Sequence, residues 1–168
     1  MIIILIIIAF IVLLGIFFYT SYLKTDKQLK KLTVYYNDLK EDVTKNIIDN
    51  ALYVNAEIDC INSVTQNIFI EKIEIDNKNI YDLSRIYTKT DITTEKLKKA
   101  IETEINKGRL STIRCLELYP SKLEKTNILI KNYNNSIVHI HKISRTFFGN
   151  SLMKKYNLKN IEKIIITK

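Results

Sequence analysis

The first acidic or basic side chain in this sequence is Lys24. Before it, residues 2–23 read IIILIIIAFIVLLGIFFYTSYL. As a helix rising 1.5 Å per residue, these 22 residues span about 33 Å, enough to cross a hydrocarbon core of about 30 Å. Apolar side chains occupy every side, which excludes a one-faced amphipathic surface helix. A cleaved signal peptide carries a basic leader, a shorter apolar core and a small-x-small cleavage site. Here nothing basic precedes the run, and Thr20 and Ser21 sit between Tyr19 and Tyr22. The expectation is an uncleaved transmembrane signal-anchor over residues 1–23, with Tyr19 and Tyr22 at the headgroup layer.

The anchor splits the chain into two unlike parts. All 26 Lys and Arg, all 18 Asp and Glu and both His lie in residues 24–168. These residues are enough to bury a core without disulfide or metal staples. Lys24, Lys27, Lys30 and Lys31 leave the anchor together, opposed only by Asp26. They suit anionic lipid, so the lipid bilayer is the first expected partner. By the positive-inside rule they put the head in the cytoplasm. Cys60, Cys115 and the sequon Asn134-Asn135-Ser136 are what an exterior or virion-surface head would carry. The net charge of +8 comes from 22 Lys and only 4 Arg, and acids are mixed among them, so nucleic acid is not an expected partner.

Beyond the anchor, Leu29, Leu32, Tyr36, Leu39, Val43 and Ile47 recur at spacings of three and four. This predicts an amphipathic stalk helix over residues 24–54, continuous with the anchor. The stripe from Leu29 to Val43 either packs on the head's own sheet or serves self-association or a protein partner. From residue 55 the pattern turns to short β-branched runs. Residues 67–76 end in alternation, with Ile73 and Ile75 on one side and Lys72, Glu74 and Asp76 on the other, before a turn at residues 77–79. A helix is expected over 92–107, capped by Asp91 or Thr93 and followed by Gly108. Residues 110–119 read as a strand stopped by Pro120. Residues 126–132 and 136–143 read as a hairpin around 132–135, residues 150–157 as a short helix, and the closing IEKIIITK as a buried strand. No internal repeat stands out. The expected head, residues 55–168, is α+β: a mostly antiparallel sheet on one or two helices.

Chemistry-bearing motifs are scarce. The three glycines, Gly15, Gly108 and Gly149, cannot form a phosphate-cradling loop, and no nucleophile elbow, P-loop or H-E-x-x-H is present. No cofactor or metal site is expected. Cys60 and Cys115 form a candidate disulfide closing 56 residues, which the chain-entropy model values at about 4 kcal/mol. His139 and His141, two apart on a strand, would share a face, but no further metal ligand lies near. With Cys115 they are the residues an enzyme would use, and no activating partner accompanies them. The sequence therefore points to a non-enzymatic, single-pass membrane protein for protein–protein interaction or assembly. Its layout is also similar in outline to type IV pilin-like subunits and to short N-terminally anchored proteins of large DNA-virus envelopes. The basic leader, Gly-Phe processing site and early helix glutamate of pilins are absent.

Overall fold

The computed structural model describes residues 2–65, 69–76, 79–108 and 117–166. Among them are four helices: α1 (Ile2–Val64), α2 (Ile80–Asn106), α3 (Tyr119–Ser144) and α4 (Gly149–Lys155). There is no strand among the described residues, so the protein is all-α and the expected α+β head is corrected. Of the pilin-like outline, the sheet-bearing head goes with it, whereas the long N-terminal helix is present as α1. The expected stalk does not stop near residue 54, since α1 continues to Val64. The chain forms two compact units: Met1–Asp38 with Asn135–Ile161, and Leu39–Asn134 with Glu162–Lys168.

The second unit is a three-helix bundle. Its α1 part buries Leu39, Val43, Ile47, Ala51, Val54, Ile58 and Ile61, all at spacings of three or four. α2 buries Leu83, Ile86, Tyr87, Thr90, Thr94, Leu97, Ile101 and Glu104 on the same rule. α3 adds Tyr119, Thr126, Ile130 and Tyr133. Each stripe is the apolar face a helix must bury. Cross-helix hydrogen bonds give the directions. Asn50 Nδ2 donates to Thr126 Oγ1 at 2.9 Å, while three residues on, Lys122 Nζ lies 5.3 Å from the Tyr53 ring centre. Tyr87 donates to Asn127 at 2.5 Å and Tyr119 to Asp91 at 3.4 Å. In both pairs α3 runs against its partner, so α1 and α2 are parallel here. Their connection must therefore travel back along the bundle.

The return is made by residues 69–76, and it explains the strand-like signal. Asn55 Oδ1 accepts from the Ile73 N–H at 2.8 Å, and its Nδ2 donates to the Ile73 carbonyl at 3.0 Å. One helix side chain thus supplies the donor and acceptor that a neighbouring strand would have supplied. Ile73 is buried while Lys72, Glu74 and Asp76 are exposed, so the alternation is real and the sheet is not. The tail repeats the device. Asn134 accepts from the Ile164 N–H at 3.0 Å and donates to its carbonyl at 2.9 Å. Tyr133 donates to the Glu162 carbonyl at 2.9 Å, and the Ile165 N–H reaches Ser84 Oγ at 3.3 Å. Residues 70–73 and 161–164 are both Ile-Glu-Lys-Ile. They form a short internal repeat, each copy ending in an isoleucine held by an asparagine.

Other expectations move for related reasons. The hairpin expected over 126–143 is uninterrupted α3, and Asn132 to Asn135 lie within it rather than in a turn. Pro120 does not stop a strand; it occupies the first turn of α3, where its missing N–H costs nothing. α2 starts at Ile80, twelve residues before the expected helix, behind a capping box: Asn79 accepts from the Tyr81 and Asp82 N–H groups, and Asp82 accepts from the Asn79 N–H. Gly108 follows α2 with φ 69°, the left-handed position that favours glycine. Most of the strand expected over 110–119, including Cys115, lies outside the described residues.

In the first unit, α1 buries Leu29 and Tyr36, α3 buries Ser136, Ile137 and Ile140, and α4 buries Leu152 and Met153. α4 ends in a Schellman motif. Asn157 takes φ 55°, its N–H donates to the Lys154 carbonyl at 3.2 Å, and the Leu158 N–H donates to the Met153 carbonyl at 3.0 Å. Leu158 and Met153, the positions that form the apolar pair of such a cap, are both buried.

Candidate membrane-proximal interface

α1 is the helix among the described residues that is long and apolar enough to cross a membrane, and its apolar stretch is unburied in the chain. Ile2 to Phe10 and onward to Leu14 lie open, as do Ile16, Phe17 and Tyr19. Each such side chain forgoes about 1.5–3 kcal/mol while it stays in water, so a run of this length is compatible with a membrane anchor. Tyr19, Lys24, Lys27, Lys30 and Lys31 are all exposed around the end of the run, whereas Tyr22 is half-buried.

What covers Tyr22 is a group of residues far along the chain, with no motif that marks them in the sequence. The loop between α3 and α4, residues 145–148, carries Phe147 and Phe148 to α1. Phe148 stands edge-on to Tyr22 at 5.5 Å and to Phe18 at 6.3 Å, and Phe147 tilts over Phe18 at 5.6 Å. Phe147 and Phe148 are themselves T-shaped at 4.9 Å. These separations fall in the attractive range for aromatic pairs. The loop's shape depends on Gly149, because a Cβ there would overlap the Ile143 carbonyl oxygen and come within 2.8 Å of Ser144 Cα. Thr146 tightens the turn: its N–H and hydroxyl both donate to Ile143, at 2.9 and 2.7 Å.

One turn of α1 further on, a polar node fixes α4. Asp26 accepts from Lys155 Nζ at 2.8 Å and from the Tyr156 hydroxyl at 2.9 Å. These two hydrogen bonds, Lys155 first, hold the Asp26 carboxyl below the usual carboxylate range. The same contact raises the Lys155 ammonium. Partial burial, followed by Asp26, raises the Tyr156 phenol. Asp26, the one acid beside the anchor's lysines, is thus already neutralised within the unit. Residues 135–161 contain no Asp or Glu at all. The first unit holds nine Lys and Arg against two Asp, a net +7, and the second holds 17 against 16, a net +1. Nearly all of the protein's excess charge therefore lies in the unit that carries the apolar run.

The other candidate residues are dispersed. Cys60 is a free, exposed thiol on α1, and Cys115 lies outside the described residues. His139 and His141 are exposed on α3, not on a strand. Two residues on a helix are about 200° apart, so they do not share a face. Among the described residues no cluster of three His, Cys, Asp or Glu could hold a metal ion. Leu29, Tyr36, Leu39 and Val43 are buried within the chain and Leu32 half so, which leaves little of that stripe for a partner. Asn134, the sequon residue, uses its amide nitrogen on the Ile164 carbonyl, the atom a glycan would occupy. Comparison with protein-family models, with curated proteins and with solved structures gives no match.

An outward face of the second unit with apolar content lies on α2. On α2, Ile92 is 51% exposed, between Phe69 at 86% and Ile165 at 61%. An open cleft of about 430 Å³ lies between residues 69–73 and α2, with Lys89 and Lys96 on its rim. A second, sharing Lys89 and Ile92, runs towards Ile165. Two clasped extended segments therefore flank the exposed face of one helix.

Proposed function

We propose that this chain is a single-pass, membrane-anchored, non-enzymatic protein that binds or assembles with another protein. The observation that carries the reading is the unburied apolar run of α1 joined to a unit of net charge +7. A bilayer satisfies both at once, the hydrocarbon taking residues 2–23 and anionic headgroups facing the lysines. The same charge favours a cytoplasmic head, and the engagement of Asn134 in holding Ile164 removes one argument for an exterior one. The protein-binding face is α2 around Ile92, with Phe69 and Ile165 beside it. Exposed aromatic and aliphatic side chains within a basic rim suit a partner that offers apolar anchors among acidic residues.

A photocrosslinker placed at residue 92 of the full chain in native membranes tests this. The reading expects a discrete adduct with a second protein that is lost on Phe69→Ser. Recovery of uncrosslinked chain alone contradicts it.

A further inference from the structure

Phe147 is 83% exposed at the tip of a short loop, although it is large, aromatic and held in one place. Two ring contacts fix it, with Phe18 and with Phe148, and the turn that carries it is closed by Gly149. Phe18 lies within the apolar run, six residues before Lys24, which is about 9 Å along a helix axis. A side chain stacked there shares the depth of Phe18. That depth matches the 5–10 Å to which interfacial apolar side chains sink below the headgroups. Lys142 precedes the loop, Arg145 opens it and Lys154 follows it, all exposed, with no acid between residues 135 and 161. An exposed aromatic tip flanked along the chain by cations is the composition of a segment that enters an anionic interface.

We propose that the α3–α4 loop is a second membrane contact, an aromatic wedge of Phe147 backed by Phe148 that enters the headgroup–acyl boundary of the same bilayer that α1 crosses. The proposal rests on the reading of α1 as a membrane span. The occupant is lipid: the wedge is continuous with the apolar surface of α1 through Phe18, and its flanking charge is of one sign. The wedge fixes the first unit to the membrane at two points, α1 and the loop, and so limits its rotation about the anchor.

The chain has no tryptophan, so a single one reports its own position. The full chain carrying Phe147→Trp is reconstituted in phosphatidylcholine–phosphatidylglycerol vesicles, beside Phe10→Trp in the anchor and Phe69→Trp in the second unit. Circular dichroism confirms equal helicity. For Phe147→Trp the expected result is blue-shifted emission, strong quenching by lipid brominated near the headgroup and protection from aqueous iodide. Phe10→Trp is quenched by deeply brominated lipid and Phe69→Trp by iodide. If Phe147→Trp follows Phe69→Trp while Phe10→Trp still reports lipid, the wedge is overturned and the anchor stands. Protection of Phe147→Trp from both quenchers assigns the tip to a protein surface and also overturns the wedge. Failure of lipid to quench Phe10→Trp overturns the anchor and the wedge together.

Discussion

At the residue scale the structure turns on side chains that stand in for backbone. Asn55 and Asn134 each supply a donor and an acceptor to one extended isoleucine, within 2.8–3.0 Å. Replacing either by alanine leaves the N–H and carbonyl of a buried isoleucine unpaired. Each replacement is expected to lower unfolding free energy by about 1–3 kcal/mol in denaturant titrations, with Asn55→Asp nearly as harmful because it removes the donor. Asp26 gives a pH signature. Its folded pKa is depressed, so its contribution is complete above the ordinary carboxylate value and is lost as pH falls through the folded one. Lys155 is raised, so its contribution is complete below its ordinary value and is lost as pH rises through the raised one. Hydrogen exchange should therefore show α4 protected at neutral pH and opening on acidification, and Asp26→Asn should remove the acid dependence. None of these roles was visible in the sequence, because a clasping asparagine resembles any other in a chain this rich in asparagine.

At the scale of elements, the helices are legible wherever spacing is read and obscured wherever residue type is. The stripe from Leu29 to Ile47 is legible in its spacing, and it continues through Ala51, Val54, Ile58 and Ile61 towards the end of α1. In α3 the same spacing runs through Ile130, Tyr133, Ile137 and Ile140, but abundant isoleucine and the asparagines at 132, 134 and 135 resemble a hairpin. β-propensity reports how a side chain fits a half-buried surface, and burial on a helix stripe overrides it. The extended segments were legible as alternation, but a sheet does not follow when a helix side chain supplies the pairing. The stripe makes a test of the correction. Ile47, 1% exposed, should lose about 2–5 kcal/mol on truncation to alanine, and Leu52, 52% exposed on the same helix, should change little. Equal effects at both positions would mean that the stripe does not face a core.

At the scale of the whole molecule, charge and hydropathy divide the chain into parts with different surroundings. The first unit has the unburied apolar run, the aromatic loop and a net +7; the second is close to neutral and has an apolar outer face on α2. The lysines at residues 24–31 announced this division. The acid-free stretch 135–161 that completes it lies far along the chain, where only the fold joins it to α1. In the proposed arrangement residues 2–23 cross a bilayer with the remainder on the cytoplasmic side. Protease treatment of sealed membranes, with the cytoplasmic face outward, tests it most directly. The expected result is digestion of residues beyond Lys31 with a short N-terminal fragment of anchor size left protected. Full digestion with no protected fragment would contradict the anchor, and protection of the whole chain until detergent is added would contradict the orientation.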